Sequence, residues 1–364
     1  MKVLFIIRSS AFTNKGGDII QAINTAEYLR LLGVQVDIRF SNEKIDYAAY
    51  DLLHFFNIIR PADILVHINN SGKKFVVSTI YVDLREYEKK IRTGFSSYIS
   101  KLLPGDLTEY LKVIARSLVS REKISSISYL WLGQKKSIKV IAKNAACLLP
   151  NSCNEYKRFS ATYNINCRYE VVPNGIDETI FKNETPPLIP KNNNLVICVG
   201  RVELRKSQLK LIKALNNSNF KLIIIGAPAV NDKKYYEACK EAAADNVSFV
   251  HNIPQKELVE YYQKAKVHVL ASWFETTGLS SLEAASQRCN IVITDKGDTR
   301  EYFEDYAFYC DPSSELSILN AVEKAAAASF DERLHTKIYK QYTWMQAAKK
   351  TLNAYNEVLG INNP

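Results

Sequence analysis

The chain has 364 residues, 47% hydrophobic and 24% charged, with a formal net charge of +10. That is too long for one ordinary core, so two domains are expected, and no run has the length and apolar purity of a membrane span. The seven cysteines are scattered and form no Cys-x-x-Cys, which excludes a disulfide framework or a zinc site and points to a reducing cytoplasm.

Val3–Ile7 reads as a first buried strand, too short and too soon charged for a signal peptide. A loop with Gly16 and Gly17 follows. Apolar residues then recur at helical spacing up to Gly33, a helix stop. Val34–Ile38, Tyr50–Phe56 and Lys74–Val82 read as further strands, and the rhythm is that of parallel βαβ units. Residues 84–146 are helix-rich, with basic and aromatic side chains interleaved. Leu148–Pro150 resumes the sheet, Tyr169–Pro173 is a last short strand, and Pro173–Asp177 is turn chemistry. We place the boundary near 171–190, giving domains 1–170 and 171–343. The helix from Trp344, capped by Thr343, is expected to cross back onto the first domain.

In the second half, strands are predicted at Leu195–Val199, Lys221–Ile225, Val247–Val250, Val267–Leu270 and Asn290–Thr294. Helices fall at 206–217, 232–244, 255–265 and 279–288. Two doubly wound α/β sheets in series would face each other across a cleft, with ligands at the carboxyl ends of the strands.

The charge is uneven. Residues 1–170 hold 25 Lys and Arg against 15 Asp and Glu, whereas 171–364 hold 23 of each. Most of the excess lies in 84–143, with 13 basic and five acidic residues. The bland reading is a solvated surface. The alternative is an anionic partner: a membrane surface, a phosphorylated lipid or nucleic acid. As a membrane face, the stretch offers Phe95, Tyr98, Leu102 and Leu103 as insertion points.

The most informative pair is Glu275 and Glu283. One falls in a strand-to-helix loop, the other about two turns into the helix. Between them lie the amides of Thr277, Gly278 and Leu279, free at a helix start. Such a site offers amides to a phosphate and carboxylates to sugar hydroxyls, the two groups that a sugar nucleotide presents. Gly200 turns the chain after another strand, and Arg201 and Lys206 behind it can converge on a diphosphate.

Taken together, Gly200–Lys206, Pro173–Asp177 and Glu275–Glu283 resemble the retaining glycosyltransferases of family four, with the two-domain GT-B fold. Asp51–His54, Pro150–Ser152, Gly297–Glu301 and the Trp344 helix extend the likeness across nearly the whole chain. It is strongest in 195–312 and weak in 84–146. The resemblance implies transfer from a nucleotide diphosphate sugar with retained configuration, no cofactor and no catalytic metal. It assigns the donor diphosphate to Arg201 and Lys206, the donor sugar to Glu275, backbone amides to Gly278 and Leu279, and the ribose hydroxyls to Glu283. Gly16 and Gly17 match the family's N-terminal glycine loop, with Asn14 and Lys15 beside it. UDP is the default base, although GDP occurs.

One departure stands out. Members often carry a His-Asp pair near the reacting carbon. Here Asp83 is kept, but Tyr81-Val82 takes the place of the His, leaving Tyr81, Asp83 or Arg85 to serve instead. Strand-end packing for Tyr81 and helix capping for Asp83 are the alternatives. His54 ends a strand near the expected cleft, so a positioning role is open. His67 and His335 read as helix-surface residues, and no histidine has metal-ligand spacing with another His or Cys. A polyprenyl-linked oligosaccharide suits the basic half as acceptor. Rival functions are a GT-B epimerase, disfavoured by the lack of a carboxylate–His pair, and a nucleic-acid-binding protein, disfavoured by the neutral second half.

Overall fold

The computed structural model describes residues 1–9, 11, 16–90, 110, 126–182 and 190–361. Asn14 and Lys15, and the four insertion points between 95 and 103, lie outside them. The chain forms two compact units. One comprises Met1–Pro173 together with the segment from Ala347 on; the other is Asn174–Gln346.

The first unit carries a parallel sheet of order β2-β1-β3-β4-β5. Its strands are β1 (Lys2–Ile7), β2 (Gln35–Phe40), β3 (Leu52–Phe56), β4 (Phe75–Ser78) and β5 (Cys147–Leu149). Strands β3, β4 and β5 are buried throughout, as unbroken apolar runs in a helix-covered parallel sheet must be. The helices are α1 (Gly17–Leu31), α2 (Pro61–Ser71), α3 (Arg85–Lys90), α4 (Ile127–Asn144) and α5 (Cys153–Tyr163). Gly33, at φ +84°, lets the chain leave α1 left-handed.

Strand β4 is shorter than Lys74–Val82 suggests. Ile80 turns to φ +47°; Thr79 still bonds to both neighbours through its backbone, its N to Leu149 O at 3.3 Å and its carbonyl to Ile58 N at 3.1 Å, and beyond Ile80 the backbone turns to a buried carboxylate. Tyr81 N donates to Glu155 Oε1 at 2.8 Å, and the Thr79 hydroxyl donates to the same oxygen. Tyr169–Pro173 is not a regular strand; Tyr169 makes a single bridge to Leu148.

Three histidine expectations are corrected. His67 is 2% exposed, with Tyr47 Oη 2.8 Å from Nδ1 and the Ser41 carbonyl 3.0 Å from Nε2. His335 is buried too. His54 lies inside β3, with Nδ1 2.6 Å from Tyr355 Oη and Nε2 2.9 Å from Ser78 Oγ. Burial lowers its pKa to about 3, so the ring is neutral. With both nitrogens engaged, it ties the last helix to the sheet and has no atom left for a ligand.

The second unit has six parallel strands in the order β11-β10-β9-β6-β7-β8. They are β6 (Asn192–Val199), β7 (Lys221–Ile225), β8 (Val247–Val250), β9 (Ala265–Leu270), β10 (Asn290–Thr294) and β11 (Phe308–Cys310). Its helices are α6 (Gln208–Leu215), α7 (Lys233–Glu241), α8 (Gln255–Lys264), α9 (Leu279–Ser286), α10 (Thr299–Phe303), α11 (Glu315–Ala327) and α12 (Glu332–Gln341). Read from β8, the strand order is that of the dinucleotide-binding folds, with its reversal between β6 and β9. Helix α13 (Trp344–Leu359) is the last element among the described residues, and Thr343 Oγ1 accepts Gln346 N at its start.

Candidate active site

The reversal point between β6 and β9 is where the chemistry-bearing loops emerge. The chain leaves β6 through Gly200, at φ +146°, and a Cβ there would stand 3.4 Å from Lys206 Nζ. The positive φ is what favours glycine here, since a Cβ would make only ordinary contact with the lysine that lies back over the strand end. Lys206 Nζ donates to Glu275 Oε1 at 3.1 Å, joining the loop after β6 to the loop after β9. Both side chains are largely buried, 14% and 11% exposed. Burial pushes the Glu275 carboxyl up, but Lys206 and Arg205 outweigh it and hold it below the usual carboxylate range.

The backbone fixes this pair. Glu275 makes a bridge to Gly297, with Glu275 N donating to Lys296 O at 3.2 Å and Asp298 N to Glu275 O at 2.9 Å. Gly297 sits at φ +101°, and a Cβ there would lie 2.1 Å from the Glu275 carbonyl oxygen. Helix α9 begins at Leu279 behind Gly278, which is left-handed at φ +70°. Among the described residues no acceptor takes the amides of Gly278 and Leu279, and Ser281 N and Leu282 N both turn back to Gly278 O. Thr277 is buried; its hydroxyl donates to Tyr302 Oη at 3.2 Å and accepts from Asn174 Nδ2 at 3.3 Å.

Arg201 pairs with Glu203 at 3.4 Å. Arg205, which sequence reasoning passed over, is the larger tie. Its guanidinium donates to Glu203 at 2.7 Å and to the Phe274 carbonyl at 2.9 Å, and stands 4.0 Å from Glu275. Its own carbonyl accepts Trp273 N at 2.8 Å. The signal was available: a third cation in the loop that already held Arg201 and Lys206.

Glu283 lies on α9 and faces α8. Gln255 Nε2 donates to one oxygen at 2.6 Å and Tyr262 Oη to the other at 3.1 Å. Burial raises its pKa to about 7, against those two donors and with help from Asp177. Between Tyr262 and α9 sits His268, fully buried and neutral, its pKa lowered to about 3 by burial and then by Lys206. Its Nδ1 is 3.2 Å from Ser281 Oγ. Glu275 and Lys206 thus meet directly, whereas Glu283 bonds to Gln255 and Tyr262 and to neither of them.

The remaining expected residues lie in the first unit. Gly16 precedes α1 in ordinary extended backbone, and a Cβ there would come 2.7 Å from Asp18 Oδ1. Gly17 opens the helix with nothing near its Cβ position. Asp18 accepts from Arg8 Nε at 2.9 Å, so a cation stands at this glycine turn that the motif reading had missed. Tyr81 is packing: it is 6% exposed, its hydroxyl donates to Thr162 at 3.2 Å, and its ring meets Phe159 and Tyr163 edge-on. Asp83 accepts Arg85 N at 3.1 Å, capping the start of α3, and takes the Arg85 guanidinium at 2.8 and 2.5 Å. Among the described residues no group of His, Cys, Asp and Glu could hold a metal ion.

Two parallel α/β sheets of five and six strands, with basic and acidic loops meeting at the strand-order reversal of the second, define the class: a GT-B-like fold. The family described as Glycosyl transferases group 1 matches residues 179–342, within the second unit. The serotype-specific mannosyltransferase WbdA of Escherichia coli is 27% identical over 165 residues, 43% of this chain and 20% of that protein. The chain therefore spans about a fifth of that relative's length. Among solved structures, sucrose-phosphate synthase from Thermosynechococcus elongatus superimposes with a TM-score of 0.75 at 15% identity, covering both chains fully. HepE of Anabaena, solved in complex with UDP-glucose, does so with a TM-score of 0.70 at 15% identity, over 98% of this chain and 100% of its own.

Proposed function

We propose that the chain moves a sugar, with retention of configuration, from a nucleotide diphosphate sugar to a hydroxyl of a glycan or lipid-linked oligosaccharide. The acceptor would be held at an anionic membrane surface, in the building of a surface polysaccharide. UDP is the favoured base, in keeping with the UDP-glucose bound by HepE. The observation that carries the reading is the Lys206–Glu275 pair at the strand-order reversal, beside the untaken amides of Gly278 and Leu279. Among the described residues no helix is long and apolar enough to cross a membrane, so the membrane part of the proposal is one of surface attachment.

In this reading the diphosphate takes Arg201, Lys206 and the two amides, and Glu275 holds the donor sugar. Glu283 accepts from the ribose hydroxyls. The acceptor attacks from the face that the diphosphate leaves, and a diphosphate oxygen takes its proton. The protein supplies position and fixed positive charge, not a nucleophile. Losing Arg201 should raise the barrier by about 2–4 kcal/mol, as for one oxyanion donor.

The test is a thermal-shift panel of UDP, GDP and their sugars, followed by turnover with the best donor. A ligand that binds only the folded chain raises the midpoint. We expect UDP compounds to do so, and Arg201→Ala to remain folded while losing both shift and activity. A folded, fully active Arg201→Ala variant defeats the assignment.

A further inference from the structure

Helix α4 presents exposed apolar residues at its start and lysines along the rest. It opens with Ile127, Leu130 and Trp131 exposed by 75%, 44% and 87%, on a stretch without any Asp or Glu from 127 to 144. These are large apolar side chains in water, and they are adjacent. They are also firmly held. Tyr129, between them, is fully buried, its ring tilted by 49° against that of Tyr110 at 5.6 Å. Its hydroxyl donates to Gln134 at 2.8 Å, and Gln134 donates in turn to the Ile59 carbonyl at 2.8 Å. Ser126 caps the first turn by accepting Tyr129 N.

Gly133, at φ +67° and ψ −179°, then breaks the helix. It sets the apolar turn off from the remainder, which carries Lys135, Lys136, Lys139 and Lys143. At about 100° per residue these four lysines fall within a quadrant or so of the helix, away from the arc of Gln134, Ser137, Ile138, Ile141 and Ala142 that is buried. Among the described residues none of the four has an ion-pair partner. A rigid apolar tip beside an unpaired basic stripe has the chemistry of a helix that lies in a lipid headgroup layer.

We propose that Ile127, Leu130 and Trp131 insert into an anionic leaflet while Lys135, Lys136, Lys139 and Lys143 face its phosphates. This deepens the membrane part of the proposed function by naming the residues that attach. Each lysine near such a surface contributes about a fivefold gain in partitioning. A nucleic acid would also take the lysines, but it offers nothing to three exposed apolar side chains.

The chain has three tryptophans, and Trp273 and Trp344 are only 4% and 2% exposed, so the environment-sensitive fluorescence belongs to Trp131. The experiment titrates the full chain at low ionic strength with vesicles of phosphatidylcholine and phosphatidylglycerol, against phosphatidylcholine alone. Flotation and tryptophan emission are read together, and the UDP-induced thermal shift is measured separately on every variant. Expected are binding to the anionic vesicles only and a blue-shifted, quencher-protected emission. Trp131→Ala should bind roughly tenfold more weakly, and Lys135→Glu/Lys139→Glu more weakly still, both with the UDP shift of the parent.

Four results overturn the inference: no binding to anionic vesicles, equal binding to neutral ones, binding with Trp131 still open to quencher, or binding undiminished in both variants. Binding to a DNA duplex but not to vesicles does so too. If vesicle binding fails while UDP still stabilises, attachment falls and the transferase reading stands. If vesicles bind as expected and no nucleotide stabilises, the reverse holds.

Discussion

At the scale of single residues, the site is held by a buried charge pair, and this changes what its removal does. A lysine lining an open cleft to meet a diphosphate could be lost with little change in stability. In the structure it neutralises Glu275, itself only 9% exposed. Lys206→Met should leave that buried carboxylate with only the more distant cation of Arg205, 4.0 Å away, lowering stability by about 2–3 kcal/mol. Lys206→Met/Glu275→Gln should recover most of the loss while staying inactive. A urea denaturation cycle checks this, and a single variant as stable as the parent contradicts it. Glu283 gives a pH prediction of the opposite kind. Its folded pKa, about 7, is raised above an unfolded value of about 4.3. Between these values the folded chain keeps a proton that the unfolded chain has lost. Glu283 therefore makes stability fall as pH climbs through that window. His54 and His268, held neutral by burial, act the other way. The term is isolated as the difference between parent and Glu283→Gln: the gap should shift in favour of the Gln variant by on the order of 1–2 kcal/mol from pH 5 to 8. A gap constant with pH would mean that Glu283 titrates normally.

At the scale of elements, two glycines decide the geometry. Gly297 lets the chain after β10 cross the Glu275 backbone, where any Cβ would strike a carbonyl oxygen at 2.1 Å. Gly297→Ala should cost about 3 kcal/mol or more, from left-handed strain and displacement of the Glu275 loop. It should weaken UDP binding with it, read as a lower midpoint and a smaller ligand shift. An alanine variant with normal stability and binding would show that the loop moves freely. Much of this layer was legible beforehand. Hydrophobic runs gave the strands of both sheets, and Gly278 before Leu279 marked the start of α9. What was not legible has a physical cause in each case. Strand β11 is only Phe308–Cys310, too short for any periodicity to register. Strand β4 stops early because Ile80 turns left-handed and Glu155, distant in sequence, takes the Tyr81 amide. The partners of His54 and Tyr81 are equally non-local, so pattern alone left packing and positioning open. Arg205 was visible as a third cation in its loop, but its ties to Phe274 and Trp273, distant in sequence, were not.

At the scale of the whole molecule, the chain is two cores threaded by one polypeptide. One cluster gathers Leu4, Phe55, Val77, Tyr129 and Phe159 in the first unit. Two others line the faces of the second sheet, around Ile197, Leu270 and Ile293 and around Val196, Leu222 and Val267. They share no residue. The last helix belongs with the first core although it follows the second in sequence: Tyr355 is fully buried and reaches His54, and Lys74 Nζ donates to the Val358 carbonyl at 2.9 Å. Tyr355→Phe removes one hydroxyl and leaves His54 Nδ1 without its partner, at a cost of about 1–2 kcal/mol. Because units with separate cores open separately, the loss should be local. Hydrogen exchange should quicken in Leu52–Phe56 and Trp344–Leu359 and stay unchanged in residues 195–310. UDP should do the converse, slowing exchange at 200–206 and 273–283 only. Should Tyr355→Phe loosen the second sheet as much as the first, the two cores unfold as one, and the long return of the chain couples the units instead of merely closing one of them.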